Sequence, residues 1–511
     1  MSDDITPGRS RGESLWLATT ERTSYDALDG GLDVDVAVVG GGITGLSTAV
    51  NLKEAGRTVA VVERDRILEG VTAHTTAKLT SLHGLIYEKL VSEFGSEKAR
   101  QYAAANEAAI EEVARRVERD DIECEFQRRR AYTYTESPGK VAQIRAEADA
   151  AKRLDLPASV VESTPLPFDI EAAIRFDDQA EFHPRKYLLA IAQQVHGDGS
   201  YIFEETSAMG LDPGAPCAVE TERGEIVADD VVVATHFPFF DRAGYFSRMH
   251  PHQAYLLAVR TEETPPEGMY YSTASPAETI RNGATDGSGE ELLLVGGQSH
   301  KPGHSEVPTS ERYERCEEFA HERFSVESVE HRWSTMDYTP VDEVPYIGQI
   351  DPLSENVYVG TGFSGWGMTG GTAAGMILSD LIVDGESPWA DVFDPQRFTP
   401  QSSARDFITE NASVGGSFVG DWVKALLSAE DVPLSTDEAK VTRYDGRPMG
   451  LYRDEDGTVH AVSAVCPHMN CLLRWNDAER TWDCPCHGSR FTCDGDVISG
   501  PALEELPYQR L

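Results

Sequence analysis

No run of about 18 consecutive apolar residues occurs in the sequence, and a membrane-spanning helix needs a run of that length. The first residues, MSDDITPGRSRGESLWL, lack the apolar core and the small-residue cleavage site of a signal peptide. Basic residues are scarce as well, because 45 lysines and arginines stand against 86 acidic residues, for a net charge of −41. We therefore expect a cytoplasmic protein without a membrane span, whose electric field repels nucleic acid and anionic membranes.

The acidic residues form no long block of one sign, which argues against a disordered acidic tail. They are spread along the whole chain, and such a surface keeps a protein dispersed where salt screens charge. The composition therefore predicts a halophilic, haloarchaeal-like protein. At 511 residues, the chain is long enough for more than one domain.

Cysteine is rare, with 8 residues in the chain, and it is unevenly placed. Three cysteines are far apart and are typical of packing residues: Cys124, Cys217 and Cys316. The other five lie near the end of the chain: Cys466, Cys471, Cys484, Cys486 and Cys493. This distribution indicates cofactor chemistry and not the disulfide framework of a secreted protein.

Two short loops near the end of the chain, CPH and CPCH, carry candidate metal ligands. A mixed pair of thiolates and imidazoles at this spacing is what a Rieske [2Fe-2S] centre requires. Cys466 and Cys484 would hold one iron, and the neutral ligands His468 and His487 would hold the other and raise the reduction potential. Tetrahedral zinc is the alternative, although this spacing is unusual for zinc.

This block resembles the Rieske family, and in particular its cytochrome bc-type members. The resemblance implies a disulfide between Cys471 and Cys486 that clamps the loops, and a hydroxyl at Ser489 that donates to a bridging sulfide. Phe491 stands where those members carry a tyrosine. The resemblance therefore implies one hydrogen bond fewer to the ligand sulfurs and a lower potential than in the respiratory proteins.

A strand, a glycine-rich turn, a helix and a second strand are predicted near the start of the chain, over 34–39, 43–55 and 58–62. GxGxxG glycines let the backbone approach a pyrophosphate at the helix N-terminus, and a carboxylate after the second strand can bind a ribose. The pattern predicts dinucleotide binding, with a glycine-rich turn of another α/β fold as the alternative. The predicted contacts are Gly40, Gly42, Ile43, Thr44, Gly45, Glu63 and Arg64.

Three separated stretches resemble the FAD-dependent D-amino-acid oxidase or glycine oxidase superfamily, in particular the branch with a C-terminal Rieske domain. They are the glycine motif with Glu63, the predicted strand 230–235 and residues 337–371. The resemblance implies FAD as the cofactor, with the backbone of the turn 360–369 packed against the isoalloxazine. The further contacts that it implies are His74, Thr75, Thr76, Thr235, Gly362, Phe363, Trp366, Gly367, Met368 and Thr369.

A second set of glycines, Gly365, Gly367 and Gly370, repeats the GxGxxG spacing and could indicate a nicotinamide site. No second strand with a terminal carboxylate is predicted after it, because Gly385, Pro388 and a loop follow. We therefore favour the flavin interpretation and do not expect NADH as the electron donor.

The predicted fold class is α/β, with a Rossmann-like FAD-binding domain, an antiparallel β substrate domain and a small all-β Rieske domain. Helical periodicity over 96–119, 140–154 and from Pro184, and alternation over 253–260 and 291–296, support it. The predicted boundaries are an N-terminal extension 1–33, the oxidoreductase 34–395, a linker 396–432 with a short helix at 418–427, and the Rieske domain 433–511. Within the oxidoreductase, the FAD-binding segments are 34–82, 184–240 and 336–395, and the substrate-side segments are 83–183 and 241–335.

Lys78, His83 and His183 are the candidate catalytic bases, although amine oxidation by hydride transfer needs no base when the substrate is already deprotonated. His183 would be the histidine nearest the flavin, but a histidine just before a helix is often only a cap. His300 and His304 near Glu306 could suggest a metal site, but their loop position argues against one. Without such a set, no second iron of a Rieske oxygenase is expected.

The predicted function is oxidation of a small amine or amino-acid-like substrate by hydride transfer to FAD, with electrons relayed singly to the cluster. A soluble redox partner would then accept the electrons. Two alternatives stay open. In one, a ferredoxin-like donor reduces the cluster, which reduces FAD and then a substrate. In the other, the chain is a redox sensor or electron carrier without turnover.

Overall fold

The computed structural model describes residues 12–303, 307–397 and 434–508. Its helices are α1 (Leu15–Ala18), α2 (Ile43–Glu54), α3 (Tyr87–Arg119), α4 (Val141–Arg153), α5 (Pro184–Val195), α6 (Thr309–Arg323), α7 (Gly367–Val383) and α8 (Ala390–Phe393). Most of the predicted linker, with the predicted helix 418–427, lies outside the described residues. Among the residues described, none of the helices combines the length and apolarity that crossing a bilayer requires.

The strands are β1 (Leu32–Val39), β2 (Val59–Val62), β3 (Lys78–Leu79), β4 (Gln127–Thr135), β5 (Ala158–Val161), β6 (Ala172–Glu181), β7 (Tyr201–Phe203), β8 (Ala208–Asp212), β9 (Cys217–Thr221), β10 (Gly224–Val233), β11 (Met249–Thr261), β12 (Met269–Ser272), β13 (Thr279–Thr285), β14 (Glu291–His300), β15 (Val326–Pro340), β16 (Tyr346–Gln349), β17 (Val357–Thr361), β18 (Glu438–Tyr444), β19 (Arg447–Arg453), β20 (Val459–Ser463), β21 (Arg474–Asn476), β22 (Thr481–Asp483), β23 (Arg490–Phe491) and β24 (Val497–Ser499).

The first sheet has the order β16-β17-β10-β1-β2-β7, and its central pairs are parallel. β2 is apolar throughout, and β1 and β10 each end in an apolar run, over 36–39 and 231–233, because both faces of the sheet are covered there. Val36 and Val38 of β1 belong to the core that contains α2 and α7, whereas Ala37 and Val39 belong to a second core on the opposite face. This arrangement confirms the predicted strand–turn–helix–strand unit.

The second sheet has the order β15-β11-β14-β13-β12-β4-β6-β3, with β5 beside β6. Most of its pairs are antiparallel, as predicted, but β12 and β4 pair in parallel. Strands so far apart in the sequence are not restricted to the antiparallel geometry of a hairpin. β3, which contains Lys78, belongs to this sheet although the sequence assigned it to the FAD-binding segment. Likewise, β15 continues across the predicted boundary between 335 and 336.

Helix α3 is two helical segments joined at a kink, because Gly95 has a non-helical φ of 81°, and the segment after Gly95 matches the predicted helix 96–119. Glycine adopts such a conformation at little cost, so Gly95 is a suitable residue for the kink. Helices α4 and α5 match their predicted ranges within one or two residues at the ends that were predicted. Helix α7 begins at Gly367, two residues earlier than predicted, and follows the turn 360–366.

The C-terminal part consists of a three-stranded sheet, β18-β19-β20, and a four-stranded sheet, β21-β22-β23-β24. Its core surrounds Trp482 and Phe491, which are fully buried. Gly450 on β19 is needed there because a Cβ atom would lie 2.7 Å from the Trp482 ring. These strands are antiparallel, as expected for a small all-β domain.

Helices α2 and α7 approach closely at Gly375, where an added Cβ would lie 2.5 Å from the Ser47 Cβ and 2.8 Å from the Ser47 carbonyl carbon. We predict that Gly375→Ala lowers the free energy of unfolding by about 1–3 kcal/mol, because overpacking forces the two helices apart. Thermal or denaturant unfolding measures the change. Gly139→Ala is the control, since its nearest neighbour would be Ser137 Oγ at 3.7 Å. Equal stability of the two variants would contradict this account of the helix contact.

Candidate functional site

The turn between β1 and α2 is built around glycines that no other residue could replace without movement. At Gly40, φ is +112° and a Cβ atom would lie 2.4 Å from the Ala234 carbonyl oxygen. At Gly45, a Cβ atom would lie 1.9 Å from the Gly40 carbonyl oxygen. These glycines pack the turn and the helix tightly against the strands, as a dinucleotide-binding turn requires.

The start of α2 offers the features that a pyrophosphate and a ribose need. Gly42 is the N-cap and provides no side-chain cap, and the Ile43 N–H donates to Thr72 Oγ1 at 3.1 Å. The Glu63 carboxylate accepts the Gly41 N–H at 2.8 Å, and burial raises the pKa of Glu63. A carboxylate beside a helix start whose N-cap residue has no side chain is an appropriate place for a ribose hydroxyl and a phosphate group. The residues present therefore fit the adenosine diphosphate half of FAD.

Three successive backbone carbonyls after the second strand are held by three distant donors. Trp333 Nε1 donates to the His74 carbonyl at 3.1 Å, and Trp16 Nε1 donates to the Thr75 carbonyl at 2.7 Å. Arg281 Nη1 donates to the Thr76 carbonyl at 2.9 Å. The donors are almost completely buried, so this carbonyl clamp fixes the predicted flavin-lining segment before any ligand binds.

The arginine of the carbonyl clamp is neutralised inside the protein. Arg281 Nε lies 3.3 Å from Glu181 Oε2, and both side chains are buried. Arg129 makes a second ion pair with Glu181 at 2.8 Å. A buried guanidinium is tolerable only when it is paired and hydrogen-bonded, and here Glu181 and the carbonyls of Thr76 and Phe182 satisfy it.

The turn 360–369 is hydrogen-bonded to the residue that follows β3, the strand that contains Lys78. The Thr80 N–H donates to Thr369 Oγ1 at 3.0 Å, and the Thr369 hydroxyl donates to the Thr80 carbonyl at 2.9 Å. Gly362 has a φ of +78°, and a Cβ atom there would lie 2.7 Å from Pro340 Cγ. The predicted contacts of the glycine-rich turn are therefore brought beside the segment 74–80, as the flavin interpretation predicts. Their contact with FAD itself stays a prediction.

The side chain of Arg64, a predicted FAD contact, is bound by other groups of the protein. Its guanidinium pairs with Asp65 at 3.0 Å, and Nη2 donates to the Ile498 carbonyl at 2.8 Å. The adjacent carboxylate and this carbonyl of the C-terminal domain together attract the positive charge. Thr235, another predicted contact, donates from its hydroxyl to the Phe237 carbonyl at 2.7 Å.

Lys78 is a buried amine at the edge of the second sheet. Its Nζ donates to the Tyr270 carbonyl and to Thr279 Oγ1. Burial, reinforced by the nearby Arg281, lowers the pKa of Lys78 from 10.5 to about 7, although Glu181 opposes this shift. An amine that titrates near neutral pH can take up or release a proton there, so Lys78 stays a chemically capable candidate for the base.

The two candidate histidines are less capable bases. His83 Nε2 lies 2.7 Å from the Thr80 carbonyl and therefore carries the proton, while Nδ1 accepts from the Tyr102 hydroxyl at 2.6 Å. His183 caps α5, where Nδ1 accepts the Lys186 N–H at 3.3 Å, and its Nε2 lies 3.0 Å from Thr19 Oγ1. Burial lowers the pKa of each histidine to about 3. The capping role that the sequence left open explains His183, and His83 stacks on Trp366 at 4.7 Å.

His300 is the last residue of β14 and not part of a loop, so that part of the prediction is wrong. It stacks on Tyr255, with ring centroids 5.8 Å apart. His304 and Glu306 lie outside the described residues. The expectation that these residues hold no metal stays a prediction.

The two C-terminal ligand loops bring their four predicted iron ligands together. The Cys466 and Cys484 thiols share a hydrogen bond, and the rings of His468 and His487 lie 5.0 Å apart. The Nδ1 atoms of both histidines are buried and have no hydrogen-bond partner within the described part of the chain. Buried ring nitrogens without partners are rare in proteins, and here they are available to bind a metal. Two thiols beside two imidazoles fit the [2Fe-2S] centre of the Rieske type.

The protonation states of these ligands also suit metal binding. The hydrogen bond from the Cys484 thiol lowers the pKa of Cys466 to about 7, whereas that bond and burial raise the pKa of Cys484. Burial lowers the pKa of His468, and it lowers the pKa of His487 to about 3. Both imidazoles are therefore neutral at physiological pH, which is the form that binds iron.

Cys471 and Cys486 form a disulfide in the structure. Cys484 lies close enough to this pair to resemble a three-cysteine metal set, but two of the three sulfurs are consumed by the bond. The Ser489 hydroxyl hydrogen-bonds the sulfur of Cys466, and its oxygen accepts the Ala502 N–H at 3.0 Å. Ser489 therefore touches a ligand thiol, near the position that the resemblance implied.

His460, Cys493 and Asp494 form another compact set of potential ligands. Both imidazole nitrogens are already engaged, because Nδ1 lies 2.7 Å from Asp494 and Nε2 lies 3.1 Å from Asp454. The two carboxylates together raise the pKa of His460 above 6.5, although burial opposes them. The His460 ring therefore lies between two aspartates and joins the loop after β23 to the β19–β20 hairpin.

The iron-ligand loops face the oxidoreductase part of the chain. Phe237 contacts His468 and Phe246 contacts His487, with ring centroids 6.4 Å and 5.7 Å apart. A Cβ atom on Gly488 would lie 2.8 Å from Pro251 and 2.9 Å from Met336 Sδ. The backbone of the second ligand loop therefore lies directly on β11 and β15.

Polar contacts extend this interface to the far side of the C-terminal domain. Thr309, at the start of α6, donates from its N–H to Asp477 at 2.7 Å, and the Tyr313 hydroxyl donates to Glu479 at 2.8 Å. Arg64 holds the Ile498 carbonyl at another edge. The interface thus combines rings at the iron ligands with hydrogen bonds around them, as specific protein interfaces do.

Sequence reasoning did not identify Phe237, Phe246 or Tyr338 as residues of the site. Tyr338 is fully buried, and its hydroxyl lies 3.0 Å from the His487 carbonyl oxygen and 3.2 Å from that of Gly500. The only hint in the sequence was the cluster of aromatic residues that follows Thr235, HFPFF. Nothing in the sequence paired that cluster with a loop more than 200 residues later.

Two protein families match this chain. Residues 35–381 match the FAD dependent oxidoreductase family, DAO, and residues 421–509 match the Rieske [2Fe-2S] domain. These matches confirm the predicted cofactors, FAD and a [2Fe-2S] cluster, and favour the Rieske interpretation over zinc. The exact domain boundaries and the individual FAD contacts stay predictions.

Relatives and solved structures agree with both matches. A Bacillus subtilis (strain 168) protein, named as a Rieske 2Fe-2S iron-sulfur protein, YhfW, is 37% identical over 497 residues, which are 97% of each chain. Gamma-glutamylputrescine oxidoreductase of Escherichia coli (strain K12) is 24% identical over 216 residues, or 41% of this chain and 50% of that protein. The crystal structure of glycine oxidase from Geobacillus kaustophilus has a TM-score of 0.57 at 17% identity and covers 72% of this chain and 99% of its own. The similarity to the glycine oxidase structure confirms the fold of the oxidoreductase part.

We predict that Ser489→Ala lowers the reduction potential of the cluster, because a donor to a ligand sulfur stabilises the added electron. A hydrogen bond to a charged group corresponds to a shift on the order of 100 mV for one electron. A redox titration followed by electron paramagnetic resonance (EPR) measures it. Ser499→Ala is the matched control, because the Ser499 hydroxyl is buried and none of the described residues hydrogen-bonds it. Equal potentials in both variants would rule out this role for Ser489.

We predict that Lys78→Met stabilises the protein near pH 7 and that the gain disappears toward pH 10.5. The folded-state pKa of Lys78 is about 7 and the unfolded value is 10.5. Between these values the unfolded chain binds a proton that the folded chain does not, so the stability of the native protein falls as the pH decreases. Unfolding midpoints at several pH values measure the effect, with the exposed Lys152→Met as the control. A variant that is less stable than the native protein at both ends of this range would contradict the prediction.

Proposed function

Because the chain belongs to the FAD dependent oxidoreductase family and ends in a Rieske [2Fe-2S] domain, we propose that it oxidises a small amine or amino acid and passes the electrons through its own cluster. FAD and the [2Fe-2S] cluster are its cofactors. When bound, FAD would accept a hydride from the carbon next to the substrate nitrogen, which leaves an imine and a proton.

The names of similar proteins support the substrate class. Gamma-glutamylputrescine oxidoreductase and glycine oxidase are both named for substrates that contain an amino nitrogen. Among the candidate bases, His83 and His183 are held neutral by burial and therefore do not repel a small amine. A buried, weakly polar site lowers the pKa of an amine that enters it, so the substrate can arrive deprotonated and ready to lose hydride.

The chain's own residues would position the flavin and exclude water. The carbonyl clamp of Trp16, Arg281 and Trp333 fixes one side of the expected flavin site. Trp366 lies on the turn 360–369, and His83, which lies beside the turn, stacks on its ring. The ring centroids of Tyr271 and Trp366 are 5.4 Å apart. Rigid positioning of the reacting groups and a dry surrounding are the main contributions that a protein makes to hydride transfer.

The proposed electron relay from flavin to cluster rests on the orientation of the iron-ligand loops. His468 and His487 contact Phe237 and Phe246 of the oxidoreductase part, and Gly488 lies on β11 and β15. Oxidation of the substrate releases two electrons together, whereas a [2Fe-2S] cluster takes one at a time. Such close contact supports stepwise transfer of both electrons to the cluster, from which a soluble one-electron redox partner would remove them.

An anaerobic screen of small amines and amino acids in high salt tests this proposal. A substrate should bleach the flavin absorbance and then produce a Rieske EPR signal. Cys484→Ser should still bleach on substrate addition but give no Rieske signal, whereas Cys493→Ser, which alters a buried cysteine outside the ligand set, should behave like the native protein. A cluster that stays oxidised beside fully reduced flavin would exclude the relay. A redox titration of both centres tests the direction of electron flow, because the proposal requires a higher reduction potential at the cluster than at the flavin.

A further inference from the structure

We propose that Tyr338 is the positioning residue that couples the flavin turn 360–369 to the iron-ligand loop of His487. This inference rests on the proposed function, because it concerns how electrons pass from one part of the chain to the other. Each transfer would move one electron from reduced flavin to the ferric iron held by the two histidines. A second transfer, after a soluble one-electron acceptor has reoxidised the iron, would return the flavin to its oxidised form, with its protons released to water.

On the flavin side, Tyr338 is bonded to the glycine-rich turn through its backbone. The Ser364 N–H donates to the Tyr338 carbonyl at 3.1 Å. The neighbouring Asp337 accepts the N–H groups of both Tyr338 and Gly365. Two consecutive residues of β15 therefore hold two consecutive residues of the turn.

On the cluster side, Tyr338 reaches the ligand loop through its hydroxyl. The hydroxyl lies 3.0 Å from the His487 carbonyl oxygen and 3.2 Å from the Gly500 carbonyl oxygen, so one proton is shared between two segments of the C-terminal domain. His487 is one of the two histidine ligands. Tyr338 thus connects the turn at Ser364 to the loop of the predicted iron ligand His487 by two hydrogen bonds. One is at its backbone carbonyl and the other is at its hydroxyl.

The surroundings of Tyr338 keep this route dry and rigid. The residue is 1% exposed, and its ring packs against His236 at 4.8 Å and against Phe237 at 5.0 Å. Phe237 in turn meets the ring of His468. The hydroxyl is therefore held in one place, and both histidine ligands are linked to the same aromatic group of the oxidoreductase part.

Tyr255 provides a matched comparison in the same sheet. It lies on β11, the partner strand of β15, and it is also fully buried near the C-terminal domain. Its hydroxyl, however, has no hydrogen-bond partner among the residues that the structure describes. Removing the hydroxyl of Tyr255 therefore breaks no link between the two parts, whereas removing that of Tyr338 breaks the bond to the ligand loop.

The experiment compares the holoenzymes of the native protein, Tyr338→Phe and Tyr255→Phe. A laser flash reduces the bound flavin with EDTA as the electron donor, and the absorbance of flavin and cluster is followed anaerobically. We expect Tyr338→Phe to slow flavin-to-cluster transfer by about fivefold or more, the factor that corresponds to one lost hydrogen bond. Flavin reduction, cluster potential and EPR g-values should be unchanged, because the hydroxyl touches a backbone carbonyl and no ligand atom. Tyr255→Phe should match the native protein.

The outcomes separate this inference from the proposed function. Native-like transfer in Tyr338→Phe overturns the inference and leaves the relay intact, whereas no transfer in the native protein overturns the relay itself. If Tyr338→Phe fails to load its cluster, Asp337→Asn tests the flavin end of the same route, because an amide cannot accept both the Tyr338 and Gly365 N–H groups. Slower transfer in Asp337→Asn supports the route, and an unchanged rate excludes it.

Discussion

The close approach of the second iron-ligand loop to β11 and β15 is the contact on which the interpretation of this molecule depends. Gly488 leaves no space for a side chain between its backbone and Pro251 or Met336. A ligand loop in that position places His487 next to Phe246 and Tyr338. The C-terminal domain is therefore an integral part of the surface that surrounds the expected flavin site, and not a separate unit attached to its end.

The expected flavin site is stabilised in a different way, by buried polar groups whose partners lie far away in the sequence. The donors to the carbonyls of residues 74–76 come from α1, β13 and β15. Removing any one donor takes a hydrogen bond from a partly buried carbonyl, and that carbonyl then loses a partner that it had gained on folding. The N-terminal segment with Trp16 is thus part of the construction of the site, although it precedes the dinucleotide-binding unit in the chain.

Contiguous motifs were predictable from the sequence, and contacts between distant residues were not. The turn at Gly40 and Gly45 and the ligand loops at Cys466 and Cys484 each lie within a short stretch, where spacing fixes geometry. Tyr338 and His487 are 149 residues apart, and no local pattern joins them. Lys78 appeared to belong to the FAD-binding segment because a two-residue strand has no periodicity that could assign it to the second sheet. His183 shows the same limit, because a histidine that caps a helix and a histidine that contacts a flavin can occur in the same local sequence.

The two histidine ligands differ in what covers them. His487 is 5% exposed and faces Phe246, whereas Met469, the neighbour of His468, is 44% exposed. The cluster site therefore has an inner side, pressed against the oxidoreductase part, and an outer side that opens to solvent. Under the proposed relay, a redox partner would meet the outer side without displacing the inner contact, so charge would enter and leave the cluster at separate sides.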